Sequence, residues 1–162
     1  VAKKKMVKTN AVRLLESEGI AFETIEYDVD DGQLDGVSVA EKTGQPADRV
    51  YKTLVTIAAP QALFVFIIPV AQELDLKKAA KAVSVKNLDM LPLKDLTKET
   101  GYVRGGCTAI GMKKPFPVVI DQSAERLPEF VVSAGKPGLQ MKLAPADLAR
   151  LSGASFAPLV KN

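Results

Sequence analysis

Histidine is absent from this chain of 162 residues. That absence removes imidazole acid–base catalysis, any Ser-His or Cys-His arrangement and nearly all zinc sites. Cysteine occurs once, as Cys107, so no internal disulfide can form, and a reducing cytoplasm is the expected location. There is no CxxC, HExxH or P-loop pattern. Any catalysis must therefore use lysine, carboxylates, hydroxyls, backbone N–H groups or the substrate itself. Long apolar runs are missing too. The longest, Ala62 to Ile68, is strand-sized and too short to span a bilayer, so no membrane association is expected. The basic segment Val1-Ala-Lys-Lys-Lys-Met6 lacks the apolar core of a signal peptide. No repeat, low-complexity tract or long linker interrupts the chain, and its length predicts one domain over residues 1–162.

What remains is an ordinary globular balance, 47% hydrophobic and 25% charged, which provides for a sizeable core. The net charge of +3 is a mild bias toward anionic partners and not by itself a nucleic-acid signature.

Periodicity and caps predict the elements. Thr9-Asn10 reads as a helix start and Gly19 as its stop, with Val7, Ala11, Leu14 and Leu15 on one apolar face. Residues 20–27 read as a strand and 28–36 as an acidic loop. Ser38-Val-Ala-Glu41 has the pattern of a capping box opening a short helix that ends at Gly44. Residues 49–58 and 63–70 read as strands around a turn at Pro60, the second apolar on both faces and so central in a sheet. Helices are predicted over 74–83 and 93–100, with Gly101 just past the end of the latter. Strands follow over 116–121, 129–133 and 138–143, the last two joined by a turn at 134–137. Pro145 opens a helix to Leu151, and a short element is predicted over 155–160. Helices separate only some of the strands, which predicts an α+β fold: a mixed, strongly curved, barrel-like sheet flanked by helices.

Three stretches could carry chemistry. In the strand Arg49-Val-Tyr-Lys-Thr-Leu-Val55, Lys52 shares a face with Val50 and Leu54. It is either an edge-strand lysine that deters aggregation or a pocket lysine that donates to an anionic ligand. The loop Gly105-Gly-Cys-Thr-Ala-Ile-Gly111 fails the dinucleotide pattern GxGxxG. It is either a tight turn or a backbone cradle for negative charge. Cys107 has no histidine to activate it. Arg104, Lys113 and Lys114 could lower its pKa, whereas lone cysteines generally act as small buried hydrophobes. The lysines of Leu74 to Val83 form either a solvated face or a phosphate-binding surface.

Five pieces follow one another along the chain: Tyr51-Lys-Thr-Leu54, Leu74-Asp-Leu-Lys-Lys-Ala-Ala-Lys81, Thr100 to Lys114, Ser133-Ala-Gly-Lys-Pro-Gly-Leu139 and Ala144-Pro-Ala-Asp-Leu-Ala149. Their order resembles the YbaK/EbsC family of free-standing Cys-tRNA(Pro) deacylases, which are similar to the editing domain inserted in bacterial prolyl-tRNA synthetases. The resemblance runs from about Lys8 to Val160. It implies a cytoplasmic hydrolase for the aminoacyl ester at a tRNA 3′ end, with no cofactor or metal and with prolyl-tRNA synthetase as a further partner. The family's essential lysine falls on Lys52, where it would hold the phosphate or ribose of the terminal adenosine. Gly105 and Gly106 would offer N–H groups to the developing oxyanion. Tyr27, Thr53, Thr108, Gly111, Ser133 and Gly135 are carried over as substrate-binding.

The resemblance also implies substrate-assisted chemistry in which the cysteinyl thiol attacks its own ester carbonyl, a route classed as a lyase if it cyclises. The chain departs from the family pattern at Thr108 and Ala109, which replace Ser and Pro. Gln140 stands at an aspartate position, and Asp35 lies near a phenylalanine position. Two alternatives stay open: a deacylase for another small amino acid such as alanine, and a non-catalytic module that binds a tRNA end or a synthetase.

Overall fold

The computed structural model describes residues 8–33 and 35–162. Helix ends fall where short polar side chains can receive the free N–H groups of a first turn. Helix α1 (Asn10–Ser17) is capped by Thr9, whose Oγ1 accepts from the Val12 N–H. The same hydroxyl donates to the Ala134 carbonyl at 2.6 Å and so ties the helix start to a distant strand. Ala11, Val12 and Leu15 form its buried face, while Val7 lies outside the described residues.

Helix α2 (Gly36–Thr43) starts two residues before the Ser38 cap expected from sequence. Asp35 is the cap and accepts from the Ser38 N–H at 3.1 Å, so the serine supplies backbone where the capping-box pattern assigns it the side chain. Helix α3 (Leu76–Ala82) is capped by Asp75, which accepts from the Lys77 and Lys78 N–H groups. Helices α4 (Leu93–Thr100) and α5 (Pro145–Ser152) lie as expected, and Gly101 ends α4 at φ +79°.

The strands are β1 (Glu23–Glu26), β2 (Tyr51–Ala58), β3 (Ala62–Pro69), β4 (Asp89–Met90), β5 (Val118–Asp121), β6 (Phe130–Lys136), β7 (Leu139–Leu143) and β8 (Ser155–Ala157). The architecture is α+β, and the strands hydrogen-bond as two sheets. One is three-stranded in the order β1-β7-β6; the other is five-stranded in the order β4-β2-β3-β5-β8. The larger sheet is mixed, with β2 antiparallel to β3, and β3 and β5 each parallel to the next strand.

Some boundaries differ from the sequence reading. β1 is shorter, and β5 begins after Pro117, since proline offers no N–H to a ladder. β6 runs through 134–136 by way of a bulge between Ser133 and Lys136, so the turn lies at Pro137-Gly138. The two-residue β4 was not foreseen.

β3 is buried on both faces, as its composition predicts. Val65 and Ile67 enter the main core with Leu15, Phe130, Met141 and Leu148. Phe66 and Ile68 enter a second core with Ala79, Ala80 and Leu159, under α3. A small third core joins Ala40 of α2 to Val50, Val70 and Val131. Its tightest contact is at Gly36, where an added Cβ would lie 2.3 Å from Val70 Cγ1.

The valine is stiff at χ1 and cannot swing away. Gly36→Ala is therefore expected to lower stability by about 1–3 kcal/mol through overpacking. Combining it with Val70→Ala should cost less than the two single losses added together. Denaturant unfolding of the four proteins of the cycle checks this, and additive losses would show that the contact carries no strain.

Candidate active site

Among the described residues, one backbone bridge links the two sheets. Val50 and Val131, both buried, form a parallel bridge. Two residues further along each chain lie Lys52 and Ser133, returned by the period of the strand to the face of their bridging residues. Both line a cavity of about 390 Å³ at this junction. Tyr27, Thr53 and Gly105 line it as well, so the fold brings together five of the residues singled out from sequence. Asp35, Arg104, Cys107 and Gln140 complete the polar and reactive lining.

The cavity holds polar groups with no partner in the protein. Among the described residues, Thr53 Oγ1 and Gln140 Oε1 are buried and make no hydrogen bond. Gln140 is only 5% exposed. An unsatisfied buried polar atom costs about 1–3 kcal/mol, and both belong to residues of the cavity wall while being shielded from the open space itself.

Lys52 is partly buried, and burial pushes its pKa down, opposed by the Glu73 carboxylate. Glu73 itself pairs with Lys161 at 3.1 Å. The other ion pairs among the described residues join Lys8 to Glu16, Lys42 to Asp31 and Arg150 to Asp147, so none holds Lys52. Arg104 is exposed at the same cavity and adds a second cation. Asp35 is the only carboxylate in the lining, and its hydrogen bonds with Ser38 hold its pKa down.

Local contacts position these groups. Ser133 Oγ donates to the Gly105 carbonyl and accepts from the Gly135 N–H, each at 3.3 Å, so the β6 bulge holds the glycine loop. Lys42 was not singled out from sequence. Its Nζ donates to Asp31 Oδ1 and to the Asp28 and Gln33 carbonyls, and it lies 5.9 Å from the Tyr27 ring centroid. One lysine thus closes the acidic loop beside Tyr27. Only a non-local carbonyl pair would have revealed it. Arg104 was read from sequence only as a neighbour of Cys107.

The remaining expected residues sit elsewhere. Thr108, Gly111 and Gly135 line a separate cavity of about 320 Å³ beside Asn10, at the start of α1. They follow the lining residues in sequence, but the loop passes through the wall between the cavities. An added Cβ on Gly111 would come within 2.8 Å of the Ala11 nitrogen, so the loop packs against the helix start there. Gly106 lines neither cavity. Its N–H donates to the Val103 carbonyl at 2.9 Å, and an added Cβ would lie 2.7 Å from Pro137 Cδ. Its lack of a side chain permits close packing, and its N–H is already engaged.

Cys107 is buried, and burial pushes its thiol up to about 11. The nearby cations, considered from sequence as activators, do not offset the desolvation. The thiol should resist iodoacetamide in the native protein at neutral pH and react readily only as the pH approaches that value. Timed alkylation with mass detection across pH checks this; fast labelling at neutral pH would show an activated thiolate.

The chain matches the aminoacyl-tRNA editing domain over residues 35–151. It is 44% identical over 157 residues to EbsC of Enterococcus faecalis, a protein proposed to be a Cys-tRNA(Pro)/Cys-tRNA(Cys) deacylase; the alignment covers 97% of this chain and 96% of the relative. Among solved structures it superposes on a proposed trans-editing enzyme for prolyl-tRNA synthetase with a TM-score of 0.81 and 24% identity, covering 97% of this chain and all (100%) of that one. It also superposes on the hypothetical protein APE2540 with a TM-score of 0.85 and 15% identity, covering 94% and 100%. The two structural matches establish the fold.

Proposed function

This chain belongs to the aminoacyl-tRNA editing domain family, and from that premise we propose that it hydrolyses the ester of mischarged Cys-tRNA(Pro), with Cys-tRNA(Cys) as a further substrate, in the cytoplasm. Prolyl-tRNA synthetase is the partner that would generate the first of these. The observation that carries the reading is the junction cavity, lined by a half-buried lysine without an ion pair, a second cation at Arg104 and the backbone of Gly105.

In this reading Lys52 binds the phosphate or ribose of the terminal nucleotide. Its cost in burial is offset only when an anion or hydroxyl arrives. Gly105 supplies the oxyanion donor, since its N–H has no backbone acceptor among the described residues, whereas the Gly106 N–H is occupied. Donors aimed at developing charge need no reorganisation during the reaction. Tyr27 walls the pocket, and Ser133 holds Gly105 in place. Thr53 Oγ1 and Gln140 Oε1 accept hydrogen bonds from the aminoacyl group. Thr108, Gly111 and Gly135 support the loop from behind and do not touch substrate.

In this reading the substrate supplies the nucleophile, the route that the family resemblance implies and with which the absence of histidine is consistent. The cysteinyl sulfur attacks the ester carbonyl carbon, the bond from that carbon to the ribose oxygen breaks, and the thiol proton passes to the leaving ribose oxygen. Water then opens the cyclic thioester to free cysteine. The protein's contribution is orientation and charge stabilisation.

The decisive experiment compares Cys-tRNA(Pro) with Ala-tRNA(Pro) for wild type and Lys52→Ala. Cysteine should be released quickly and alanine slowly, and the variant should lose about a hundredfold or more in rate. Equal release of alanine would replace the thiol route with a water-based deacylase. Release of neither would leave a binding module.

The variant should melt no lower than wild type at neutral pH. Folding lowers the lysine pKa, so the charged form opposes folding below the folded pKa, and that penalty fades as pH rises through it. Gln140→Leu gives an independent check. It removes an unsatisfied acceptor, so stability should hold or rise while kcat/KM falls about tenfold. Lower stability with normal kcat/KM would make Gln140 a structural residue.

A further inference from the structure

Among the described residues, five large apolar side chains are exposed, and three of them line the cavity. Val37 of α2, Met90 of β4 and Leu93 at the start of α4 are 40%, 43% and 60% exposed, and all three line the cavity. Three separate elements therefore present uncovered aliphatic groups to one opening. Buried Leu91 and Leu96 lie in the same lining and anchor the segments that carry Met90 and Leu93. Arg104 shares the lining, and the neighbouring Val103 is 47% exposed. Besides Val29, no other large hydrophobic is exposed to this degree among the described residues.

Charge and size identify the occupant. The lining carries the cations Lys52 and Arg104 against one carboxylate, Asp35, which already caps α2. An apolar lip beside uncompensated positive charge fits a group with one flat apolar face and an adjacent anion. A nucleotide has that chemistry. At about 390 Å³ the cavity is near the lower end of small-molecule sites, which run from about 300 to 1,000 Å³. It can take an aminoacyl group and its ribose, and a nucleobase must then remain at the mouth.

We propose that Val37, Met90 and Leu93 form the seat for the unpaired base of the nucleotide whose ribose carries the aminoacyl ester, with Arg104 meeting that nucleotide's phosphate. The seat rests on the deacylase reading and assigns that reading's substrate a second contact surface. It also explains why uncovered leucine and methionine persist beside the opening. They are buried each time the substrate binds, since the face of a base and the aliphatic side chains leave water together.

The test uses Met90→Ser/Leu93→Ser in the full chain, with thermal melting to establish that it folds. Both side chains are exposed, so the melt should be little changed. KM for aminoacyl-tRNA should rise about tenfold or more with kcat largely retained, because the seat acts before chemistry. Titration with adenosine 5′-monophosphate should show a matching loss of affinity, and Leu93→Phe, which widens the flat surface, should tighten that binding. Val29→Ser, at an exposed aliphatic away from the cavity, should change neither.

An unchanged KM and unchanged nucleotide affinity in the double variant would overturn the proposal. So would an unchanged KM together with a lost response to added synthetase, which would make the lip a protein-docking patch. The nucleotide titration decides the seat even if wild type deacylates no tRNA, so failure of the seat and failure of the deacylase reading are distinguishable.

Discussion

The site depends on one backbone contact, the parallel bridge between Val50 and Val131. Neither sheet makes a cavity by itself. The larger one is covered on both faces of β3 by separate cores, and the smaller one packs its inner face into the main core. Beside the bridge lies the cavity, lined from β2 by Val50, Lys52 and Thr53 and from the smaller sheet by Ser133 and Gln140. Lys52 and Ser133 stand at its walls because each follows a bridging valine by one strand period. The third core clamps the bridge from α2, and the close approach of Gly36 to Val70 lets that helix bring Val37 to the cavity mouth.

Around this space the fold leaves interactions unmade. Two other partly buried lysines are engaged: Lys42 has three acceptors, and Lys78 reaches the Val160 carbonyl and Asn162. Lys52 has no ion pair, and its nearest influential carboxylate is shared with Lys161. Thr53 and Gln140 are likewise left without partners, in a chain whose other buried polar side chains, such as Thr56, Thr100 and Asp121, are hydrogen-bonded. Thr108, in the second cavity, is the further exception among the described residues. Concentrated dissatisfaction costs stability and is held by the surrounding cores, the arrangement expected of a site that a ligand completes.

Much of this was legible in the sequence, and what was not has a common cause. Helix ends at Gly44, Gly101 and Pro145 follow from local chemistry and appear where expected. The double-sided burial of β3 was readable from its unbroken apolar run. Lys52 stood out because a charge on an aliphatic strand face is locally anomalous. The misplaced residues are those whose location depends on the path of a loop. Thr108 and Gly111 sit beside Cys107 in sequence, yet the loop crosses a wall between them and the cavity that Cys107 lines. Gly135, expected like Ser133 to bind substrate, follows it into the β6 bulge and lines the second cavity. Lys42, Arg104 and the lip residues have no local signature, because their significance comes from partners far along the chain.

A site without histidine has to obtain selectivity from geometry. If the substrate's own thiol is the nucleophile, a side chain that lacks one is rejected by chemistry, and the pocket need not discriminate finely by size. That relaxes the demand on the aminoacyl subsite, and a neutral amide at Gln140 can take the place of a carboxylate. It raises the demand on holding the ester still, because the attacking and accepting atoms belong to one flexible molecule and react only in a narrow range of orientations. On the proposed reading that demand falls on the cavity, where Gly105 and Lys52 would hold the ester and its ribose. The lip would serve an earlier step, capturing the nucleobase and so raising the occupancy of the cavity without changing the geometry of attack. Binding at the aliphatic mouth and orientation in the polar cavity are then separable, and loss of the first appears in KM while loss of the second appears in kcat.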